Sequence, residues 1–321
     1  MDPTSPPRAF AALSVRGLYR RCLDDFCVDE IPAVEPTGEG EHLLLRIEKR
    51  GVNSAAVADD LARVFGVAPI DVSFAGMKDR HAVTRQWFSV RTPRDASCMG
   101  SIPECWRVID SIRHRSKLRR GDLTGNRFRI RIRELCGDHE ALRERIAGIA
   151  STGVPNYFGE QRFGHDGANV ERARSWIGSR PRASIPAFQK GLHLSTARAL
   201  LFNAVLAHRV ERGSWNASID GDVVQTGPTG PLWGRGRTQS TGEARSIEDT
   251  ALAPYREWLD PLEHLGLTQQ RREFVLRPVR LDGVVGGQVL DLEFDLGAGE
   301  YATALLRELG AFRNAAMRAA A

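Results

Sequence analysis

The sequence has 321 residues, 42% hydrophobic and 26% charged, with a formal net charge of +5. That length accommodates one large domain or two ordinary ones, each with its own core, and no run of about 18 apolar residues is present to span a membrane. Met1 to Phe10 carries three prolines and no apolar core of a secretory leader, so the protein is expected in the cytoplasm.

Residues 1–13 read as a flexible leader. Leu18 to Ile31 reads as one short strand-like segment with an acidic patch, Asp24-Asp25-Phe26-Cys27-Val28-Asp29-Glu30, and His42 to Ile47 as a strand. Asn53 or Ser54 caps a helix over 54–65, in which Val57, Leu61, Val64 and Phe65 share a face and which Gly66 stops. Val72 to Ala75 and Trp87 to Val90 read as strands on either side of a loop at Gly76–Arg80. Arg113 to Arg120 is the most basic run. It leads into Asn126-Arg127-Phe128-Arg129-Ile130-Arg131-Ile132-Arg133, where strict alternation places Phe128, Ile130 and Ile132 on one face of a strand and four arginines on the other.

Leu142 to Ile149 is expected to be helical, and Gly153 to Gly159 breaks the pattern at a domain boundary. A long helix is expected over 195–212, capped by Ser195, with Ala199, Phe202, Leu206 and Val210 as its inner stripe. Residues 213–250 read as loops, 251–273 as helix, Val275 to Leu281 and Val289 to Phe294 as strands, and 301–320 as a closing helix.

The motifs exclude several chemistries. There is no phosphate-binding G-x-x-x-x-G-K-[ST] loop, no H-E-x-x-H, no G-x-S-x-G and no C-x-x-C among the five scattered cysteines. No nucleotide cofactor and no metal are expected. What remains is Asp79, between Lys78 and Arg80 in a glycine-initiated loop after a strand. A carboxylate among cations stays ionised, as a nucleophile or base requires; a turn or capping residue is the alternative. The 113–120 run is either a solvated loop or an RNA contact. The arginine face of 127–133 either pairs with acids on a neighbouring strand or meets RNA, and Phe128 is either a core residue or a base-stacking ring.

Four segments carry a resemblance. Gly76-Met77-Lys78-Asp79 is followed by Ala82-Val83-Thr84-Arg85-Gln86; then come Gly125-Asn126-Arg127-Phe128, Val154 to Gly164 (VPNYFGEQRFG), and Ala298 to Thr303 with Arg307-Glu308-Leu309. In this order they resemble the TruD family of pseudouridine synthases over nearly the whole chain. The resemblance implies a mixed α/β catalytic domain with a central, mainly antiparallel sheet, over 1–154 together with 275–321, and a TruD-specific domain inserted over 155–274.

It implies Asp79 as the catalytic aspartate and Arg20 as its partner, where the family usually has lysine. Phe26, Asn126, Phe128 and Tyr301 are implied as substrate-binding residues, Tyr301 standing where phenylalanine is frequent. The implied substrate is tRNA, with uridine 13 of the D arm as the target in a tRNA-Glu type molecule; no cofactor is implied, and a monomer is expected. Two rival classes are a non-catalytic RNA-binding protein, which has no use for Asp79, and a nucleoside hydrolase, which calls for paired carboxylates.

Overall fold

The computed structural model describes residues 5–100, 102–179 and 183–318. Strand β1, Arg16–Tyr19, is followed by a 3₁₀ turn at Leu23–Asp25 and by β2, Phe26–Pro32. The single strand expected over Leu18 to Ile31 is therefore two. Arg20 takes a φ of 60°, outside the extended region, and the Asp25 carboxylate turns back to accept the Cys22 N–H at 3.1 Å.

Next come β3, His42–Arg50, and α1, Ser54–Phe65. Asn53 Oδ1 caps α1 by accepting the Ala56 N–H, and Gly66 closes it in the left-handed conformation. Strands β4 (Val72–Phe74), β5 (Val83–Arg91), β6 (Trp106–His114) and β7 (Leu123–Cys136) precede α2, His139–Thr152.

After β8, Val154–Pro155, the chain forms α3, Ala168–Gly178, and α4, Ala187–Glu211. Helix α4 begins well before Ser195. Pro186 occupies the N-cap, and Ser195 lies inside the helix, its hydroxyl donating to Leu192 O at 2.9 Å. Residues 213–250 are not all loop: β9, Thr229–Leu232, and α5, Gly242–Leu252, fall there. The helix expected over 251–273 is cut short. α6, Arg256–Glu263, gives way past Gly266 to β10, Gln270–Glu273, which pairs with β9.

Strands β11 (Val275–Leu276), β12 (Val279–Gly286) and β13 (Val289–Gly297) follow. The closing helix α7, Ala302–Leu309, stops at Gly310; Ala311–Asn314 is β14, paired in parallel with β1. The remainder of the expected 301–320 helix is a 3₁₀ turn to Arg318, and 319–320 lie outside the described residues.

The chain divides into two compact units. The sheet unit takes the described parts of Leu13–Ala150, Pro278–Gly299 and Leu309–Ala321. Its ten-stranded sheet runs β12-β13-β7-β2-β5-β3-β6, with β1 joined to β7 and β14 and with β4 joined to β5. Only β2–β5 and β1–β14 are parallel, so the sheet is mainly antiparallel within a mixed α/β fold. Leu43, Leu45, Ile47, Phe88 and Val90 pack under the α1 stripe of Val57, Leu61 and Phe65. Gly125 sits where any Cβ would lie 2.2 Å from Leu296 O, so β7 and β13 can approach only at a glycine.

The helical unit takes the described parts of Met1–Ala12, Ser151–Arg277 and Glu300–Glu308. Buried α4 forms its centre, with Phe202, Leu206, Trp258 and Phe274 in one core. The described part of the expected leader is packed here. The Phe10 ring meets Trp215 edge-on at 6.3 Å, and its N–H donates to the Glu308 carboxylate at 3.4 Å. All five cysteines are free, and no helix among the described residues is long and apolar enough to cross a membrane.

Candidate active site

Between β4 and β5 the chain runs through Gly76-Met77-Lys78-Asp79-Arg80-His81, and three neighbours fix its course. Gln86 of β5 donates from Nε2 to Gly76 O at 3.0 Å. Ser54, the first residue of α1, donates its hydroxyl to Gln86 Oε1 at 2.6 Å and accepts the Lys78 N–H at 3.0 Å. The Lys78 ammonium turns inward to Glu30 of β2 at 2.7 Å, a pair almost wholly buried. Glu30 is held in turn by the Trp87 N–H at 3.1 Å.

Asp79 points the other way and keeps 40% of its side chain exposed. Its Oδ2 accepts from Arg20 Nη2. Arg20 reaches it from the left-handed turn after β1, the guanidinium lying over the Phe26 ring with Cζ 3.9 Å from the centroid. Phe26 meets Phe128 edge-on at 6.1 Å, and Phe128 stacks on Phe294 at 5.4 Å. Both Phe26 and Phe128 are buried. Phe128 is thus a core residue with one face already covered. Asn126 stands opposite Glu30 in the β2–β7 register, and its Oδ1 is buried without a hydrogen-bond partner.

Arg20, Phe26 and Phe128 therefore form one chain of contacts ending on Asp79, with Asn126 paired across the ladder with Glu30. Tyr301 belongs to the helical unit. There its hydroxyl accepts from Arg162 Nη2 at 2.6 Å, and its ring lies 5.9 Å from that of Phe158. Arg80, the other sequence neighbour of Asp79, is exposed and donates weakly to Gly51 O at 3.4 Å.

Sequence reading missed Lys49. This side chain is fully buried, and its Nζ donates to Val52 O at 2.8 Å, to Asp79 O at 2.8 Å and to Lys78 O at 3.4 Å. Burial pushes the ammonium down to about 8, against the pull of the Asp79 carboxylate and with the Lys78 charge adding to the depression. A signal was present. Leu43, Leu45 and Ile47 alternate onto the core face of β3, and Lys49 is next in that series. A lysine at an inward position demands partners.

The arginine face of β7 pairs with acids. Arg127 meets Asp295 at 3.0 Å, Arg129 meets Asp29 at 3.7 Å, Arg131 meets Asp291 at 2.7 Å and Arg133 meets Asp25 at 2.8 Å. In the basic run, Arg113 and Arg115 are held by Asp95 and Glu39, and Lys117 donates to Ile70 O. Arg119 and Arg120 are exposed, and their guanidinium groups have no carboxylate partner among the described residues, the Asp122 carboxylate accepting only the Arg119 main-chain N–H at 2.6 Å.

Comparison with known proteins bears on this geometry. The family model described as tRNA pseudouridine synthase D (TruD) matches residues 10–177. A tRNA pseudouridine synthase D of Cellvibrio japonicus is 44% identical over 321 residues, covering 97% of this chain and 94% of the relative. One of Methylococcus capsulatus is 44% identical over 340 residues, covering 95% and 94%. Among solved structures, a Methanosarcina mazei protein assigned to tRNA pseudouridine synthase D superposes with a TM-score of 0.72 at 22% identity, covering 96% of each chain. At that identity the match bears on the fold alone.

Proposed function

This chain belongs to the TruD family of tRNA pseudouridine synthases, isomerases that convert uridine to pseudouridine in tRNA, and we propose that it acts on uridine 13 of the D arm in a tRNA-Glu type substrate, with Asp79 as the nucleophile. The observation that carries the role of Asp79 is its half-exposed carboxylate, in contact with Arg20 above a wall of aromatic rings. The sheet unit, which holds Asp79, is the catalytic domain in this reading, and the inserted domain is built on 155–274.

A stacked uridine cannot reach a carboxylate held in a protein cleft, so the base must leave the helix at a cost of a few kcal/mol. The Asp79 carboxylate then attacks C1′ and the N1–C1′ bond breaks, its electrons passing to the uracil. The freed base turns over and C5 bonds to C1′ as the ester to Asp79 opens. The C5 proton is lost and N1 takes one up, so no oxidant, reductant or energy source is consumed. In the glycal route the same carboxylate instead removes a proton from the sugar. Arg20 orients the carboxylate in either route. The unpaired buried Oδ1 of Asn126 suits a donor on the base edge.

Two experiments test the reading. Asp79→Asn is expected to abolish pseudouridine formation on transcribed tRNA, and turnover near the wild-type rate would sink the assignment. Mapping pseudouridines in tRNA from cells with and without the gene is expected to show loss at position 13 alone. Loss elsewhere with position 13 intact would move the target.

A further inference from the structure

We propose that Lys49 is a positioning residue for the reaction: its buried ammonium clasps the main-chain carbonyl of Asp79 and so sets the line along which the carboxylate meets the sugar. The inference rests on the reading of Asp79 as the nucleophile.

Packing does not call for a lysine at this position. Leu43, Leu45 and Ile47 fill the same face of β3, and a methionine would continue the series. The ammonium is instead spent on backbone. It has three N–H groups and meets three carbonyl oxygens, those of Val52, Lys78 and Asp79. Val52 lies in the turn that leads into α1, whereas the other two carbonyls belong to the loop carrying the nucleophile. Lys49 thus ties that loop to the body of the sheet by charge-assisted hydrogen bonds. Asp79 is held at both ends, with Arg20 on its carboxylate and Lys49 on its carbonyl.

The charged groups facing the ammonium are few. The Asp79 carboxylate on the loop favours the charged form, and Lys78 on the same loop opposes it while pairing with Glu30 of β2. Glu48, the preceding residue of β3, engages Arg85 of β5 and Arg107 of β6. Opposite Lys49 in the two ladders stand Thr84 of β5 and Trp106 of β6, neither of them charged. A neutral amine keeps two N–H groups for three carbonyls and turns a lone pair toward the third. Losing the proton therefore loosens the clasp.

The test uses full-length protein and tRNA transcribed with C5-tritiated uridine, in single-turnover conditions. Release of tritium reports pseudouridine formation at any position, so a wrong target position leaves the readout intact. At pH 7.5, Lys49→Met is expected to lower the rate constant by about a hundredfold, with tRNA affinity within about twofold of wild type. Lys49→Arg is expected to recover part of the rate. The wild-type rate should fall as pH rises through about 8. The Lys49→Arg rate should stay level to about pH 9.5, because a guanidinium keeps its proton there.

An identical alkaline limb in wild type and Lys49→Arg, with circular dichroism showing both folded, overturns the proposal even where Lys49→Met does not fold. So does a folded Lys49→Met whose rate lies within about threefold of wild type. Asp79→Asn separates the two ideas. If it stays inactive while the Lys49 variants behave as wild type, only the clasp is lost; if it turns over, the nucleophile reading fails.

Discussion

An aspartate in a glycine-initiated loop is more often a turn residue than a nucleophile. The partner of its carboxylate separates the two cases here: Asp79 accepts from Arg20, fifty-nine positions away, and the loop is pinned by Gln86, Ser54 and Lys49 instead. Arg20 stands in a left-handed conformation that costs a non-glycine residue about 1 kcal/mol or more, which fits a side chain held for a task. Lys49 makes a separate prediction about stability. Its folded value lies near 8 against 10.5 for a free lysine. Below pH 8 both states hold the proton, and burying the charge costs roughly 3 kcal/mol. Between pH 8 and 10.5 the unfolded chain holds more protons than the folded one, so stability should climb with pH. Urea unfolding of wild type and Lys49→Met between pH 7.5 and 10 should show the wild type gaining on the variant by up to about 1.4 kcal/mol per pH unit. A constant gap would contradict this. The rate and the stability thus move in opposite directions over the same range.

Strand β7 shows how pairing decides the fate of charge. Its arginines alternate outward, and the register with β13 places Asp295 opposite Arg127 and Asp291 opposite Arg131. Cross-strand partners at that spacing capture the guanidinium groups before any RNA can. Arg131 and Asp291 are both about half exposed, so Arg131→Ala should cost only about 0.2–1 kcal/mol in urea unfolding and leave tRNA affinity almost unchanged. In α4 the buried Arg209 meets Asp222, each side chain 2% exposed, with further donation to Ser214 O and Ala217 O. Arg209→Ala leaves that acid stranded and should destabilise by about 3–5 kcal/mol. Gly125→Ala, on the other side of the Asn126–Phe128 segment, should cost about 1–3 kcal/mol, since its methyl would meet Leu296 O. The β7–β13 register that sets Asn126 and Phe128 would shift with it, and the rate should fall too.

Across the whole molecule the 45 lysines and arginines overstate what is free to meet phosphate, because much of the arginine is consumed in pairs. Arg119 and Arg120 are exposed, and their guanidinium groups have no acid partner among the described residues. Replacing both by alanine should reduce the slope of log affinity for tRNA against log salt by between about one and two, the value expected for one or two lost phosphate contacts. An unchanged slope would place the phosphate contacts elsewhere.

Local patterning settled much of this protein. The helix over 54–65, with its Asn53 cap and Gly66 stop, was legible because cap, stripe and stop lie within one short stretch. The family motifs were legible for the same reason, as contiguous runs. The alternation of β7 was legible too, but its meaning was not: pairing and RNA contact look alike until the register with β13 is known. Tertiary structure alone decided that Leu18 to Ile31 is two strands, that α4 starts at Ala187, and that Ala311–Asn314 joins β1 as a strand rather than extending α7. The split strand and the β1–β14 pair depend on a single strained dihedral or on a partner distant in sequence, and the first turns of α4 are exposed, so hydrophobic period records none of them. Lys49 belongs to both kinds. Its inward position was written in the alternation of β3, and Val52 O is a local partner, whereas the carbonyls of Lys78 and Asp79 meet it only once the loop carrying Asp79 has folded over it.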